Sequence, residues 1–227
     1  MGDNKHHMLL WLDVETTAIN PADGQLLEIG MRITELDGTS PDGDGEKVHF
    51  TFERVLPQRA VMYTAATAHA IRMHLDNELL DEVVTPQTPP VDAEKQAELW
   101  LSQCIDVLQD GKPPVVLHVA GSNPAFDRAW LDERFPGLPE SDVWADSVSY
   151  RNLDLSAIRL TLLAVGFDPY GRTHTGTHRV HDCLDRDMRE WGQWVDWVCA
   201  HKVADGCNLD GSGPSLAARF GLAGDRA

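Results

Sequence analysis

Apolar residues dominate Leu9-Leu10-Trp11-Leu12-Asp13-Val14-Glu15-Thr16-Thr17, with two acids set two positions apart inside the run. This pattern predicts a strand buried over most of its length. After a turn at Asn20-Pro21-Ala22-Asp23-Gly24, residues 26–34 alternate as a second strand. A Gly-, Ser-, Pro- and Asp-rich loop over 37–46 leads into 47–55, where Val48, Phe50 and Phe52 alternate as a third. Three strands joined in this way predict an antiparallel meander. From Tyr63 the period becomes helical, with a helix, a break and a new start within 73–80. A Pro-rich loop over 84–92 ends at Asp92, a good N-cap for a helix over 93–108 carrying Ala97, Leu101, Ile105 and Leu108 on one face. The continuous apolar run 115–121 predicts a buried strand, and Ser122-Asn123-Pro124 leads into a helix over 125–135. Ser156 caps a helix over 157–165. A last helix runs from His178 to about His201, and its Trp191, Trp194, Val195, Trp197 and Val198 predict firm packing on the sheet. The expected organisation is one domain over 8–201, followed by a weakly ordered Gly-, Ala- and Asp-rich tail over 202–227.

Composition narrows the function. A chain of 227 residues with 42% hydrophobic and 24% charged residues suits one globular domain. No stretch approaches the ~20 apolar residues that span a membrane, and the N-terminus lacks an apolar signal core, so a cytoplasmic protein is expected. Cys104, Cys183, Cys199 and Cys207 form no C-x-x-C pair and read as free thiols, with no Cys-based zinc site expected. The formal charge of −17 argues against a basic groove that grips long duplex nucleic acid. It is compatible with a site that holds a few nucleotides through metal ions.

The candidate chemistry lies in the carboxylates. Strand geometry points Asp13 and Glu15 to one face, about 7 Å apart. Buried together, they repel each other unless a cation lies between them, and hard divalent ions take oxygen ligands. The alternative is that one caps the turn at Thr16-Thr17 and the other is solvated. Asp127 sits in the first turn of the helix after the 115–121 strand, where the helix dipole alone could account for it. Asp182 follows His178 by four residues, a spacing that shares a helical face. Asp185 and Asp187 are alternatives, as is the pair His181 and Asp185. Glu28, in mid-strand, reads as a hydrogen-bonded or rim residue. Four carboxylates can bind two divalent ions, which activate water and stabilise a leaving oxygen in phosphodiester cleavage. His178 suits a general base near neutral pH.

These residues resemble the DEDDh 3′→5′ exonucleases, and among them the oligoribonucleases. The resemblance is carried by Trp11-Leu12-Asp13-Val14-Glu15-Thr16-Thr17, Arg72-Met73-His74, Gly121-Ser122-Asn123-Pro124-Ala125-Phe126-Asp127-Arg128, Tyr150-Arg151-Asn152-Leu153-Asp154-Leu155-Ser156 and Gly176-Thr177-His178-Arg179. It implies an α/β, ribonuclease H-like fold with a mixed five-stranded sheet flanked by helices. It also implies two Mg²⁺ or Mn²⁺ ions, a homodimer, and release of mononucleotides from the 3′ end of short single-stranded RNA. An enzyme of this fold acting on single-stranded DNA, or an inactive nucleic-acid-binding module, are the alternatives. By matching positions, His74 binds a terminal phosphate and Ile19 wedges against a base. Asn123 and Ser156 make polar contacts, and Tyr150 and Arg151 reach across the dimer. The aromatic that precedes the family's R-x-H segment falls on His69. In the family an Asp follows the third-motif His by five residues. Here that position is Cys183, and Asp182 is the nearest carboxylate before it.

Overall fold

The computed structural model describes residues 5–41, 49–85, 92–169 and 177–200. Its centre is β1, His6–Thr16, the strand that carries Asp13 and Glu15. β2, Leu26–Glu35, pairs antiparallel with it, and β3, Thr51–Val55, pairs antiparallel with β2. β4, Val115–Gly121, lies parallel to the other edge of β1, and β5, Leu153–Asp154, pairs parallel with the end of β4. The result is a mixed five-stranded sheet in the order β3-β2-β1-β4-β5, flanked by helices. This is the ribonuclease H-like arrangement that the resemblance implies. The expected meander is present as β1–β2–β3. Its third strand is shorter than 47–55, and part of that span lies outside the described residues.

Strand alternation divides the sheet into two faces. Leu10, Leu12 and Val14 face α3, Ala93–Gln109, and α4, Pro124–Arg134. Here Ala97, Leu101, Cys104, Trp130 and Leu131 complete the larger core. Asp92 caps α3 as expected, its carboxylate accepting from the Lys95 N–H. Leu9 and Trp11 face the other way, against Leu155 of α6, Leu155–Ala164, and Leu184 of α7, Val180–Ala200. Asp13 and Glu15 continue that second series beyond Trp11, which places them at the end of the strand rather than in its apolar middle. A third cluster joins Leu27 to α1, Ala68–Asp76, and α2, Leu79–Val84. The break between α1 and α2 falls at Asn77-Glu78, where Glu78 adopts a left-handed φ of 65°. Two elements had no counterpart in the sequence reading: the short α5, Asp142–Ser147, and the two-residue β5.

The last helix departs from expectation. It starts at Val180, not His178, and His178 has a left-handed φ of 52°. Its buried residues are Val180, Cys183, Leu184 and Asp187, all in the first half. Trp194, Val195, Trp197 and Val198 are only half-buried, so firm packing belongs to the N-terminal turns. Gly30 explains the close approach of those turns. A Cβ there would lie 2.7 Å from Val180 Cβ, and Gly30 pairs directly with Asp13 across β1–β2. The missing side chain thus brings α7 down beside Asp13. The expected tail over 202–227 lies outside the described residues.

Candidate active site

The parallel ladder between β1 and β4 ends at Trp11 paired with Ala120, and β4 itself stops at Gly121. Beyond that point β1 has an open edge facing α4. Gly121 lets the turn pass close, since a Cβ there would lie 2.9 Å from the Leu12 carbonyl oxygen. The Val14 N–H donates to Asp127 Oδ1 at 3.1 Å. Asp127 therefore satisfies a backbone group left over by the sheet, and this contact brings its carboxylate to Asp13 and Glu15. Asp127 and Glu15 are both buried.

α7 supplies the fourth member. Cys183 points into the cluster, with Sγ 3.9 Å from Glu15 Oε1. One oxygen each of Asp13 and Glu15 and the Cys183 sulfur lie within 4.8 Å of one another. Asp13 Oδ2 is buried with no hydrogen-bond partner. Among the described residues no Lys or Arg forms an ion pair with Asp13, Glu15 or Asp127. Burial, then repulsion from Asp187, raises the Asp13 carboxyl to about 7. Burial, then repulsion from Asp13, raises Glu15 to about 9. Asp127 is raised well above the ordinary range, chiefly by burial and then by Asp13. The Cys183 thiol is raised for the same reasons. A group of buried oxygens that costs this much to ionise, one of them unpartnered, suits a divalent cation.

Asp182 is not part of this group. Its carboxylate accepts from the Thr177 hydroxyl and backbone N–H and faces His181, close to solvent. The hydrogen bonds to Thr177 hold its carboxyl below the usual range. The expected shared face required both His178 and Asp182 to be helical, whereas the helix begins only after His178. Asp182 is then one residue, about 100° of helical rotation, away from the inward-facing Cys183. Asp185 is also outside, exposed and paired with Arg32. Asp187 is buried, but it is turned toward Arg159, Arg186 and the Ser122 hydroxyl, which donates to it at 2.7 Å. Glu28 accepts two hydrogen bonds from Arg179 and one from the Val180 N–H, in agreement with a structural role.

The remaining expected residues surround the cluster. His74 is buried, with Nε2 3.1 Å from the Thr16 carbonyl oxygen and 3.7 Å from Glu15 Oε2, and Nδ1 faces the Asn77 amide. Burial lowers its pKa, and its ring lies behind Glu15. His178 is exposed, and repulsion from it is a smaller contribution to the lowered His74 pKa, after burial. Asn77 donates its amide to the Thr177 and His178 carbonyls and so holds the His178 turn. Ile19 is 87% exposed and lines a cleft of about 280 Å³ together with Glu15, Ala66, His69, Met73 and Phe126. Asn123 has a left-handed φ of 62°, and its N–H donates to Asp154 Oδ1, which also accepts from the Ser156 N–H. One carboxylate thus ties the turn before α4 to the start of α6. Tyr150 and Arg151 are exposed beside β5, with the guanidinium 5.5 Å above the phenol ring.

The sequence alone gave no sign that Cys183 would face Asp13 and Glu15, although its five-residue spacing from His178 was visible. Sequence reasoning also missed Arg179 and Arg159, whose partners are distant in the chain.

No known family model matches the chain. Among curated proteins it is 28% identical over 158 residues to the oligoribonuclease of Mannheimia succiniciproducens, covering 69% of this chain and 73% of that one. It is 26% identical over 189 residues to that of Actinobacillus pleuropneumoniae, covering 83% and 89%. The oligoribonuclease of Mycobacterium tuberculosis is 25% identical over 187 residues, covering 80% and 78%. Among solved structures, E. coli exonuclease I in a zinc-bound complex with single-stranded DNA has a TM-score of 0.49 at 12% identity, covering 86% of this chain and 43% of that one. The likeness to oligoribonucleases thus extends well beyond the short motifs.

Proposed function

We propose that the chain is a divalent-metal-dependent 3′→5′ exonuclease that releases mononucleotides from short oligoribonucleotides. The observation that carries this reading is the Asp13–Glu15–Asp127 group, with Glu15 and Asp127 buried and Asp13 half-buried around a buried Oδ2, which no Arg or Lys among the described residues neutralises by an ion pair. Its likeness to oligoribonucleases supplies the reaction class.

Asp13, Glu15 and Asp127 would hold the cation, with Cys183 adjacent; the resemblance implies two ions, Mg²⁺ or Mn²⁺. When bound, divalent cations polarise the scissile phosphate and stabilise the leaving oxygen. The other steps belong to the protein. The cleft beside Glu15 receives the terminal nucleoside, and exposed Ile19 offers an apolar face to its base. His178 takes the proton of the attacking water at a ring nitrogen, from an exposed turn that lets the proton pass on to solvent. His74, neutral and hydrogen-bonded to β1, keeps Glu15 in place. A second copy, reached through Tyr150 and Arg151, would close the 5′ side and limit the substrate to a few nucleotides. The acidic surface suits a short substrate, because no long phosphate chain has to be held.

The test is turnover of a labelled RNA dinucleotide against a longer single-stranded DNA, with Mg²⁺, Mn²⁺ or Zn²⁺ and with Asp13→Ala as control. Faster release from the dinucleotide, lost in Asp13→Ala, is expected. Preferential degradation of long DNA transfers the assignment to a DNA exonuclease of the same fold. A second reading, an inactive binding module, is favoured by Cys183 standing where the family has its fourth carboxylate. Equal background activity in wild type and Asp13→Ala, together with retained RNA binding, establishes it.

A further inference from the structure

We infer that Cys183 is a cation ligand in the Asp13–Glu15 site, and that this site selects a thiophilic divalent ion of the Zn²⁺ class over Mg²⁺. The inference rests on the proposed metal-dependent function and specifies its cation. Three observations carry it. The Cys183 sulfur and one oxygen each of Asp13 and Glu15 lie within 4.8 Å of one another, close enough for three donors to share one centre. Asp13 Oδ2 is buried in the site with no hydrogen-bond partner. The sulfur is placed there by the fold: Gly30 admits Val180 and Leu184 against β2, and Cys183 lies between those two residues on the inward face of α7.

The chemistry follows from the donor set. Mg²⁺ demands oxygen ligands in near-octahedral geometry, and a sulfur in place of one oxygen works against it. Zn²⁺, Co²⁺ and Cd²⁺ accept mixed sulfur and oxygen donors, with zinc–sulfur bonds near ~2.3 Å. Ligation converts the thiol to a thiolate, releasing one proton to solvent for each metal–sulfur bond formed. Asp182, Asp185 and Asp187 do not compete for the position, since each is directed to other partners.

The experiment uses the full chain, reduced and metal-free, with Cys199→Ser and Cys207→Ser as background so that Cys183 and the buried Cys104 remain. Cd²⁺ titration is followed by the thiolate-to-cadmium charge-transfer band, and Zn²⁺ and Mg²⁺ affinities are measured by competition and by shifts in melting temperature. A saturable band is expected that C183S and Asp13→Asn both abolish. C183D should remove the band and lower the Zn²⁺-to-Mg²⁺ affinity ratio by about tenfold or more. If Mg²⁺ or Mn²⁺ raises the melting temperature equally in background and C183S, and Cd²⁺ gives no band, the ligand role of Cys183 is overturned while the metal-dependent nuclease reading stands. If no divalent cation shifts the melting temperature of the background or of C183D, both readings fail together.

Discussion

Two groups of acids, each built on buried carboxylates, meet the first half of α7, one helical turn apart. Around Asp187, Arg159 donates to both Asp187 and Glu190, Arg186 donates to Asp187, and the Ser122 hydroxyl takes the remaining oxygen. Around Cys183, three carboxylates share a space that no Arg or Lys among the described residues enters as an ion-pair partner. Burial is similar, with Asp187 at 3% and Asp127 at 4% exposure. The treatment of charge is opposite. The first group is complete within the chain and reads as structural, a brace between the turn after β4, α6 and α7. The second is incomplete: Arg186 and Arg179 act on Asp13 and Glu15 only from a distance, and no Arg or Lys among the described residues forms an ion pair with them. Such a cluster is costly to maintain, and an external cation is the economical explanation for its presence.

The contrast gives measurable consequences. The largest concerns catalysis: Asp13→Ala should reduce dinucleotide turnover by at least about 100-fold, in the range set by loss of a principal transition-state charge contact. Asp13→Asn, which keeps the shape, should remain folded and melt no lower than wild type without metal. Next is Arg159→Met. Removing one of its two cations leaves Glu190 without its partner and Asp187 with Arg186 alone, and a loss of about 2 kcal/mol in urea unfolding is expected. A loss below about 0.5 kcal/mol would mean that the two acid groups do not differ in the way described.

The pH dependence of the metal-free protein comes third. The folded carboxyls of Asp13 and Glu15 lie at about 7 and about 9, above their unfolded values of 3.8 and 4.5. Between those limits the folded protein binds more protons than the unfolded chain, so stability falls as pH rises. Melts in chelator from pH 5 to 9 should show a decline of several kcal/mol, and Asp13→Asn should flatten it. Added divalent cation should recover more stability at pH 8 than at pH 5. The smallest effect is at the cleft. Ile19→Ala should raise KM about fivefold, equivalent to about 1 kcal/mol of lost apolar contact, with kcat little changed. A fall in kcat with constant KM would place Ile19 outside substrate binding.

The parts of the fold governed by local pattern were legible. The strand with Asp13 and Glu15, the meander after it, the Asp92-capped helix and the 115–121 strand all depend on alternation, helical period or a cap within a few residues. The helix–break–helix around Asn77 was visible for the same reason. What escaped was short or non-local. β5 has two residues and exists only because β4 offers an edge. The tryptophans of α7 have the periodicity of a buried face but lie beyond the turns that the sheet covers. The apparent His178–Asp182 pair failed because a spacing argument assumes that both residues are helical, and Asn77 holds His178 in a left-handed turn instead.

By itself the sequence determined which acid pair shares a strand face, because alternation leaves no other arrangement for Asp13 and Glu15 once that strand forms. It also determined that a third acid, Asp127, opens the helix after the neighbouring strand. Only the tertiary structure decided the fourth donor. The unpaired end of β1 draws in Asp127, the absent side chain at Gly30 lets α7 descend, and the helix phase set by its start at Val180 turns Cys183 inward and Asp182 toward solvent. Local periodicity cannot report where a helix begins or how closely it packs, and those two quantities decide whether sulfur or a fourth carboxylate faces Asp13 and Glu15.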